Sequence, residues 1–393
     1  MSFRRYVESI MLATVLIGAL PSEAVALRMQ EQSASPAPTS AVYVPTEKDE
    51  RGLWMEMDEQ ERRLRTSNFV VRDAALNAYV HRVFCRTVGP DCETLRLYIV
   101  RTPRFNATTS PNGMIELYSG TFLRMRDEAQ LAAVLAHEYV HYRDHHVIQL
   151  WREARSKAGA ATFFAAFGLG LIGLAVLAEV FSFSREQERA ADAGSVDLIR
   201  RAGYNPIAAS NIWEQIRAEA DATAAARKVK SRKDKNGGMF ATHPPTAERM
   251  AYLKTLAEAT PAAPAAVLNR AEYRSALAPF WASFIDDQIK LNDFGASEFL
   301  ISDLAKEGWT PQLNYARGEL YRARGTQQDM VSAIGFYREA SSDPTAPPEV
   351  WRGLGLSLLR SGSAADGQAA LKDYLVRRPE ASDKAMIAML AGI

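Results

Sequence analysis

At 393 residues, with 47% hydrophobic and 24% charged side chains, the chain has the length and apolar content for two cores, which excludes a disordered or low-complexity class. A formal net charge of +1 gives no bulk attraction for a polyanion, so a nucleic-acid partner is not expected.

The chain opens with Arg4 and Arg5, an apolar run from Ile10 to Leu20 and the small-residue site Ala24, Val25, Ala26. This order predicts a signal peptide over 1–26, cleaved after Ala26, and export to the periplasm. The apolar run is short against the ~20 residues a bilayer-spanning helix needs. Residues 27–45, rich in Ser, Pro and Ala, read as a flexible linker, and the first folded helix is expected near Thr46.

Cys85 and Cys92 are the only cysteines, and the Gly-Pro-Asp turn between them can bring them together. In an oxidising compartment a disulfide is expected, the alternative being two buried thiols. A second zinc site is not expected there, since two thiolates with no nearby His besides His81 cannot fill four positions. Residues 97–100 and 114–118 then read as two strands, separated by a loop containing Asn106, Ser110, Pro111, Asn112 and Gly113.

Residues 126–130, RDEAQ, offer Asp127 as a helix N-cap, and Leu131, Val134 and Leu135 form an apolar stripe leading into HEYVH at His137 to His141. Four residues apart on a helix, His137 and His141 lie within about 40° of each other and can share one metal ion. Zinc held by two His and one further ligand keeps a position open for water, lowers the pKa of that water to about 7 and polarises a carbonyl. Glu138, between the two His, is placed to take the proton. His145 follows His141 by four residues with no Gly between, so the metzincin spacing fails. On a continuing helix His145 stays near the ligand stripe, whereas His146 points to the opposite side from His137.

Residues 158–178 carry no charge, yet His137 and His141 precede this run and Glu188 follows it. A single membrane crossing would separate the ligands of one metal, so the run is expected to fold back, be buried, or touch a membrane surface. SREQERAADAG at 184–194 places Glu188 and Asp192 one helical turn apart. Glu188 can close a His, His, Glu site, and Asp192 can accept the free N–H of a ligand His. Residues 218–238 turn to Ala, Lys and Arg and read as a loop that could cover the cleft.

HEYVH, SREQERAAD and THPPTAERM at 242–250, in this order, resemble the gluzincin family of the CAAX prenyl protease and the HtpX heat-shock protease, in its periplasmic BepA-like branch. The resemblance implies one zinc per chain held by His137, His141 and Glu188, with Glu138 as base. It implies that His243 and Arg249 line the cleft and serve catalysis at the oxyanion or substrate backbone, and that Asn106 binds substrate. In periplasmic relatives the equivalent of His243 can act instead as a fourth zinc ligand in a latched state. The resemblance further implies a small sheet whose strand just before the zinc helix is an edge able to pair with an extended substrate.

After a linker at 259–266, the chain reads as helical, with Trp351, Leu354, Gly355, Leu358, Leu371, Tyr374 and Pro379 at offsets resembling the tetratricopeptide pattern. A preceding unit aligns Gly318, Tyr321, Ala333, Tyr337 and Ala340. Stacked helix pairs leave a concave surface for a protein segment. The expected fold is therefore mainly α with a small β-sheet, a gluzincin catalytic domain over 46–262 followed by a tetratricopeptide-like helical domain over 268–390. The expected function is an exported zinc endopeptidase acting on misfolded or misassembled envelope proteins. Its repeats would bind clients or the outer-membrane assembly machinery, and its apolar run would contact a membrane. The alternative is a chaperone or assembly factor for outer-membrane proteins with a latched or structural zinc.

Overall fold

The computed structural model describes residues 44–158, 183–231, 243, 247–259 and 262–393. The expected signal peptide, all but the last two residues of the linker after it, the apolar run from 159 onward and the basic stretch from 232 lie outside these residues. No helix among the described residues is long and apolar enough to cross a membrane.

Helix α1 (Lys48–Thr66) buries Leu53, Met57 and Leu64 on one face. Its Glu61 ties it to the sheet by accepting from Arg96 Nε at 2.6 Å, the Tyr98 hydroxyl at 2.7 Å and Asn112 Nδ2 at 3.1 Å. Helix α2 (Ala74–Val88) starts where Asp73 accepts from Leu76 N at 2.9 Å and stops at Gly89, whose φ of +74° suits a residue without Cβ. A 3-10 turn over Gly89–Thr94 follows, and Cys85 and Cys92 are joined in a disulfide.

The sheet has three strands, β1 (Arg96–Val100), β2 (Ala107–Thr109) and β3 (Met114–Tyr118), in the order β1-β3-β2. Strand β3 runs parallel to β1, pairing Tyr98 with Glu116, and antiparallel to β2, pairing Thr108 with Glu116. This corrects two expectations. The strand before the helix bearing HEYVH is internal, and the edges are β1 and β2, the latter within the stretch read as loop. The cause is a tight turn at 110–113, in which Gly113 adopts φ +85° and donates to Ser110 O at 3.0 Å, folding three residues back along β3.

Short helix α3 (Ser119–Arg124) leads into α4 (Glu128–Arg143), capped as expected by Asp127, which accepts from Gln130 N at 2.9 Å. Helix α4 is buried on nearly every side, the pattern of a central helix. It ends at Arg143; His145 takes the left-handed conformation (φ +57°), and α5 (His146–Ala158) departs in a new direction.

Helix α6 (Arg185–Arg201) opens with a capping box in which Ser184 accepts from Gln187 N and the Gln187 side chain accepts from Ser184 N. Next comes α7 (Ala208–Ala226), so the first nine residues of the expected loop at 218–238 are helical. Their alanines favour helix, and the Thr223 hydroxyl donates to Asp293 Oδ1 at 3.2 Å. Helix α8 (Ala247–Ala259) completes the region around the metal-ligand candidates.

Beyond it, α9 (Arg270–Leu277), α10 (Trp281–Ile289) and α11 (Phe294–Leu304) lead to α12 (Pro311–Arg324), α13 (Gln327–Ser341), α14 (Glu349–Arg360), α15 (Ala364–Arg377) and α16 (Lys384–Ala391). Helices α12 with α13 and α14 with α15 pack as pairs. At Gly318 a Cβ would lie 2.5 Å from the Tyr337 ring, so the closest approach of α12 to α13 requires glycine there. One continuous core runs from Leu76 through the α4 region to Leu320, and a second lies among Tyr315 to Ala391. Arg124, 2% exposed, lies beside the first core: it donates to Glu219 Oε1 at 2.6 Å and Oε2 at 2.8 Å on α7, and to Gln288 Oε1 at 3.0 Å on α10.

Candidate metal centre

Four side chains converge between α4, α6 and residue 243. His137 and His141 project from α4 one turn apart, with their Nε2 atoms 3.0 Å apart. His243 Nδ1 lies 3.2 Å from His137 Nε2 and 2.7 Å from Glu188 Oε1, and His141 Nε2 lies 3.7 Å from Glu188 Oε1. Glu188 reaches the site because α6 packs tightly on α4: a Cβ on Gly194 would sit 2.8 Å from Val140 Cγ2. All four donors are buried.

This donor set fits zinc. Ligands about 2.0–2.2 Å from a tetrahedral zinc are separated from one another by about 3.3–3.5 Å, and the distances of 2.7–3.7 Å between the donors bracket that value. Three imidazole nitrogens and a carboxylate facing one point need a cation to offset the repulsion of their lone pairs. Burial holds the His141 pKa well below its ordinary value, with the neighbouring His137 and His243 adding to the effect, so it offers a neutral, metal-ready nitrogen. Burial acts against the Glu188 carboxylate, and the positive neighbours His243 and Arg249 outweigh it, keeping it ionised.

The remaining ring nitrogens of the two helix-borne His have separate partners. His137 Nδ1 meets Asp192 Oδ1 at 3.2 Å. Asp192 in turn accepts from Arg249 Nη2 at 2.6 Å and Nε at 2.8 Å, while Arg249 Nη1 lies 2.6 Å from Glu188 Oε2. Burial would raise the Asp192 pKa, but the charge and hydrogen bonds of Arg249 dominate and hold it at about 2. The Arg249 guanidinium also stacks 4.1 Å from the centroid of the Trp213 ring. Its nitrogens are engaged by carboxylates, as suits a positioning group. His141 Nδ1 meets His146 Nδ1 at 3.1 Å. This overturns the expected outward direction of His146, because helical periodicity was extended past the real end of α4.

Glu138 is 3% exposed, and burial pushes its pKa up to about 7. Its Oε1 lies 3.5 Å from His243 Nε2, and its Oε2 meets no hydrogen-bond donor among the described residues. A buried carboxylate beside the donors and poised near neutral pH is suited to take and return a proton. Beside it opens a small pocket of about 40 Å³ lined by Phe105, Asn106, Val134, Ile212, Trp213 and Leu253, with Ala107 of the edge strand β2 in its wall. Asn106 anchors this wall through its backbone, its carbonyl accepting from Tyr118 N at 3.0 Å and Thr121 Oγ1 at 2.8 Å.

His137, Glu138, His141, Glu188, Asp192, His243 and Arg249 thus form one cluster, with Asn106 at the adjoining pocket. Sequence reasoning missed His146, the Phe183 ring 4.0 Å from that of His141, and Trp213. No glycine or proline marks the helix stop after Arg143 that turns His146 inward, and nothing local marks the other two.

Residues 70–257 match the family model described as Peptidase family M48. The chain is similar to the putative beta-barrel assembly-enhancing protease of Vibrio cholerae, 25% identical over 66% of this chain and 54% of that protein. It is 32% identical to the mitochondrial metalloendopeptidase OMA1 of Schizosaccharomyces pombe over 35% of this chain and 43% of that one. Metalloprotease LoiP of Escherichia coli is 30% identical over 38% of this chain and 57% of its own length. The chain therefore spans about half the length of the curated relatives it matches. The matched region carries all four donors and the base beside them, so over residues 70–257 the chain is similar to peptidase family M48, a family of zinc metallopeptidases, at the site itself.

Proposed function

We propose that this chain is a zinc-dependent endopeptidase of the periplasm that cleaves misfolded or misassembled envelope proteins, with its C-terminal helical pairs binding the client. The observation that carries the reading is Glu138, a buried carboxylate with an unpartnered oxygen beside three imidazoles and Glu188. When bound by His137, His141 and Glu188, zinc supplies an acidified water and a Lewis acid for the scissile carbonyl. Glu138 would take a proton from the attacking water and return it to the leaving amine. Asp192 holds His137 through Nδ1, and Arg249 holds Asp192 and Glu188. An extended substrate adds to the free edge of β2, which accepts many sequences because main-chain groups do the pairing, and an apolar side chain enters the pocket beside Glu138.

His243 Nδ1 sits among the donors, and this supports a second reading: a resting, latched site in a chaperone or assembly factor for outer-membrane proteins. In the peptidase reading His243 leaves the donor cluster when substrate enters, and its imidazole then steadies the oxyanion. The test uses the full chain and its His243→Ala variant, both with zinc content measured, on an unfolded test protein. Chelator-sensitive cleavage by the parent, or by His243→Ala alone, supports the peptidase, the second outcome with a latch. No cleavage by either zinc-loaded protein refutes it in favour of the chaperone.

A further inference from the structure

The two helix-borne His candidates are held by different chemistry. His137 has a carboxylate behind it, the usual partner of a metal-binding imidazole. His141, with no exposed surface, has an imidazole: His146 Nδ1, at 3.1 Å, is the hydrogen-bond partner of His141 Nδ1 among the described residues. His141 Nε2 faces the donor cluster, so a neutral His141 that gives that nitrogen to a metal must carry its proton on Nδ1. The proton then points at His146 Nδ1, which accepts only if His146 carries its own proton on Nε2.

The backbone is built for this contact. The continuing helix would carry residue 146 away from residue 141. Instead α4 stops, with Asp144 N donating to Val140 O at 2.9 Å, and His145 enters the left-handed region at φ +57°. A non-glycine residue there costs about 1–2 kcal/mol. The reversal makes His146 the first residue of α5 and turns its ring back onto His141, the ring centroids 5.0 Å apart and the planes at 74°. His146 is 6% exposed.

We propose that His146 is a positioning residue of the metal site, an imidazole acceptor that fixes the tautomer and ring orientation of His141. The inference rests on His141 being a zinc ligand, as in the reading above.

The test is zinc affinity of the full chain, by competition with a chromogenic chelator at fixed pH, for the parent, His146→Leu, His146→Asn and His141→Leu. Asn offers its carbonyl oxygen close to where Nδ1 stands; Leu offers no acceptor. The expected result is a loss of about 10–100-fold for His146→Leu and an affinity near that of the parent for His146→Asn. Parent-like affinity in His146→Leu, or equal losses in the Leu and Asn variants, would overturn the inference while leaving the zinc site standing. A parent that binds no zinc, or no loss in His141→Leu, would overturn both. Should His146→Leu fail to fold, ring nitrogen shifts of the zinc-loaded parent decide: His146 protonated on Nε2 supports the inference, and protonation on Nδ1 overturns it.

Discussion

Replacing Arg124 by Met removes a buried cation that pairs with Glu219 and reaches Gln288 of the helical array, while nearly preserving side-chain volume. Arg124 makes two bonds to Glu219, at 2.6 and 2.8 Å, one to Gln288 at 3.0 Å, and one to Gly120 O at 2.9 Å. Glu219 is 4% exposed, so in Arg124→Met its charge stays in the interior without a partner. Breaking such a buried pair from one side costs about 3–5 kcal/mol, far above the 0–1 kcal/mol of an exposed pair. Removing both charges, in Arg124→Met with Glu219→Leu, also removes the desolvation cost of the carboxylate and should bring the loss back to about 1 kcal/mol or less. Urea unfolding of the parent, the two single variants and the double variant, followed by far-UV circular dichroism, measures the cycle. A loss below about 1 kcal/mol in Arg124→Met, or a double variant no more stable than that single one, would show that Arg124 and Glu219 do not act as a buried ion pair.

Glu116, on the central strand, is 8% exposed, and burial raises its pKa to about 7. A carboxyl that is more basic in the folded state contributes fully below its unfolded value near 4.5 and loses that contribution as pH rises through about 7. Glu116→Gln should therefore leave stability nearly unchanged at pH 4 and raise it by about 3 kcal/mol at pH 8, measured by urea unfolding at both. Gly194→Leu forces α6 away from Val140 and carries Glu188 with it; zinc affinity by chelator competition should fall about tenfold or more. Arg249→Met exposes Glu188 and Asp192 to each other without a cation, and unfolding of the metal-free protein should show a loss of about 3 kcal/mol or more. Arg249→Lys should lose less, since it keeps the charge while giving up the fork on Asp192, the simultaneous reach to Glu188 and the stacking on Trp213.

Local periodicity carried much of the site. His137 with His141, and Glu188 with Asp192, are each one helical turn apart, and the caps at Asp127 and Ser184 lie where the helices begin. What periodicity cannot give is the end of a helix with no glycine or proline to mark it, which is why His146 was misdirected. Strand β2 is only three residues long and has no alternation to read, so the strand that covers one side of β3 is not legible in the sequence. Arg124, Glu219 and Gln288 are far apart in the chain, and a buried ion pair leaves no local pattern. Trp213 and Arg249 meet from different helices for the same reason.

The most direct measurement of the central claim is cleavage of an unfolded test protein by the full chain, and by its His243→Ala variant, each beside a partner carrying Glu138→Gln, with bound zinc quantified in all four. The expected result is zinc retained throughout and cleavage lost whenever Glu138 is replaced. Undiminished cleavage by a zinc-loaded Glu138→Gln protein would contradict the assignment of Glu138 as the base.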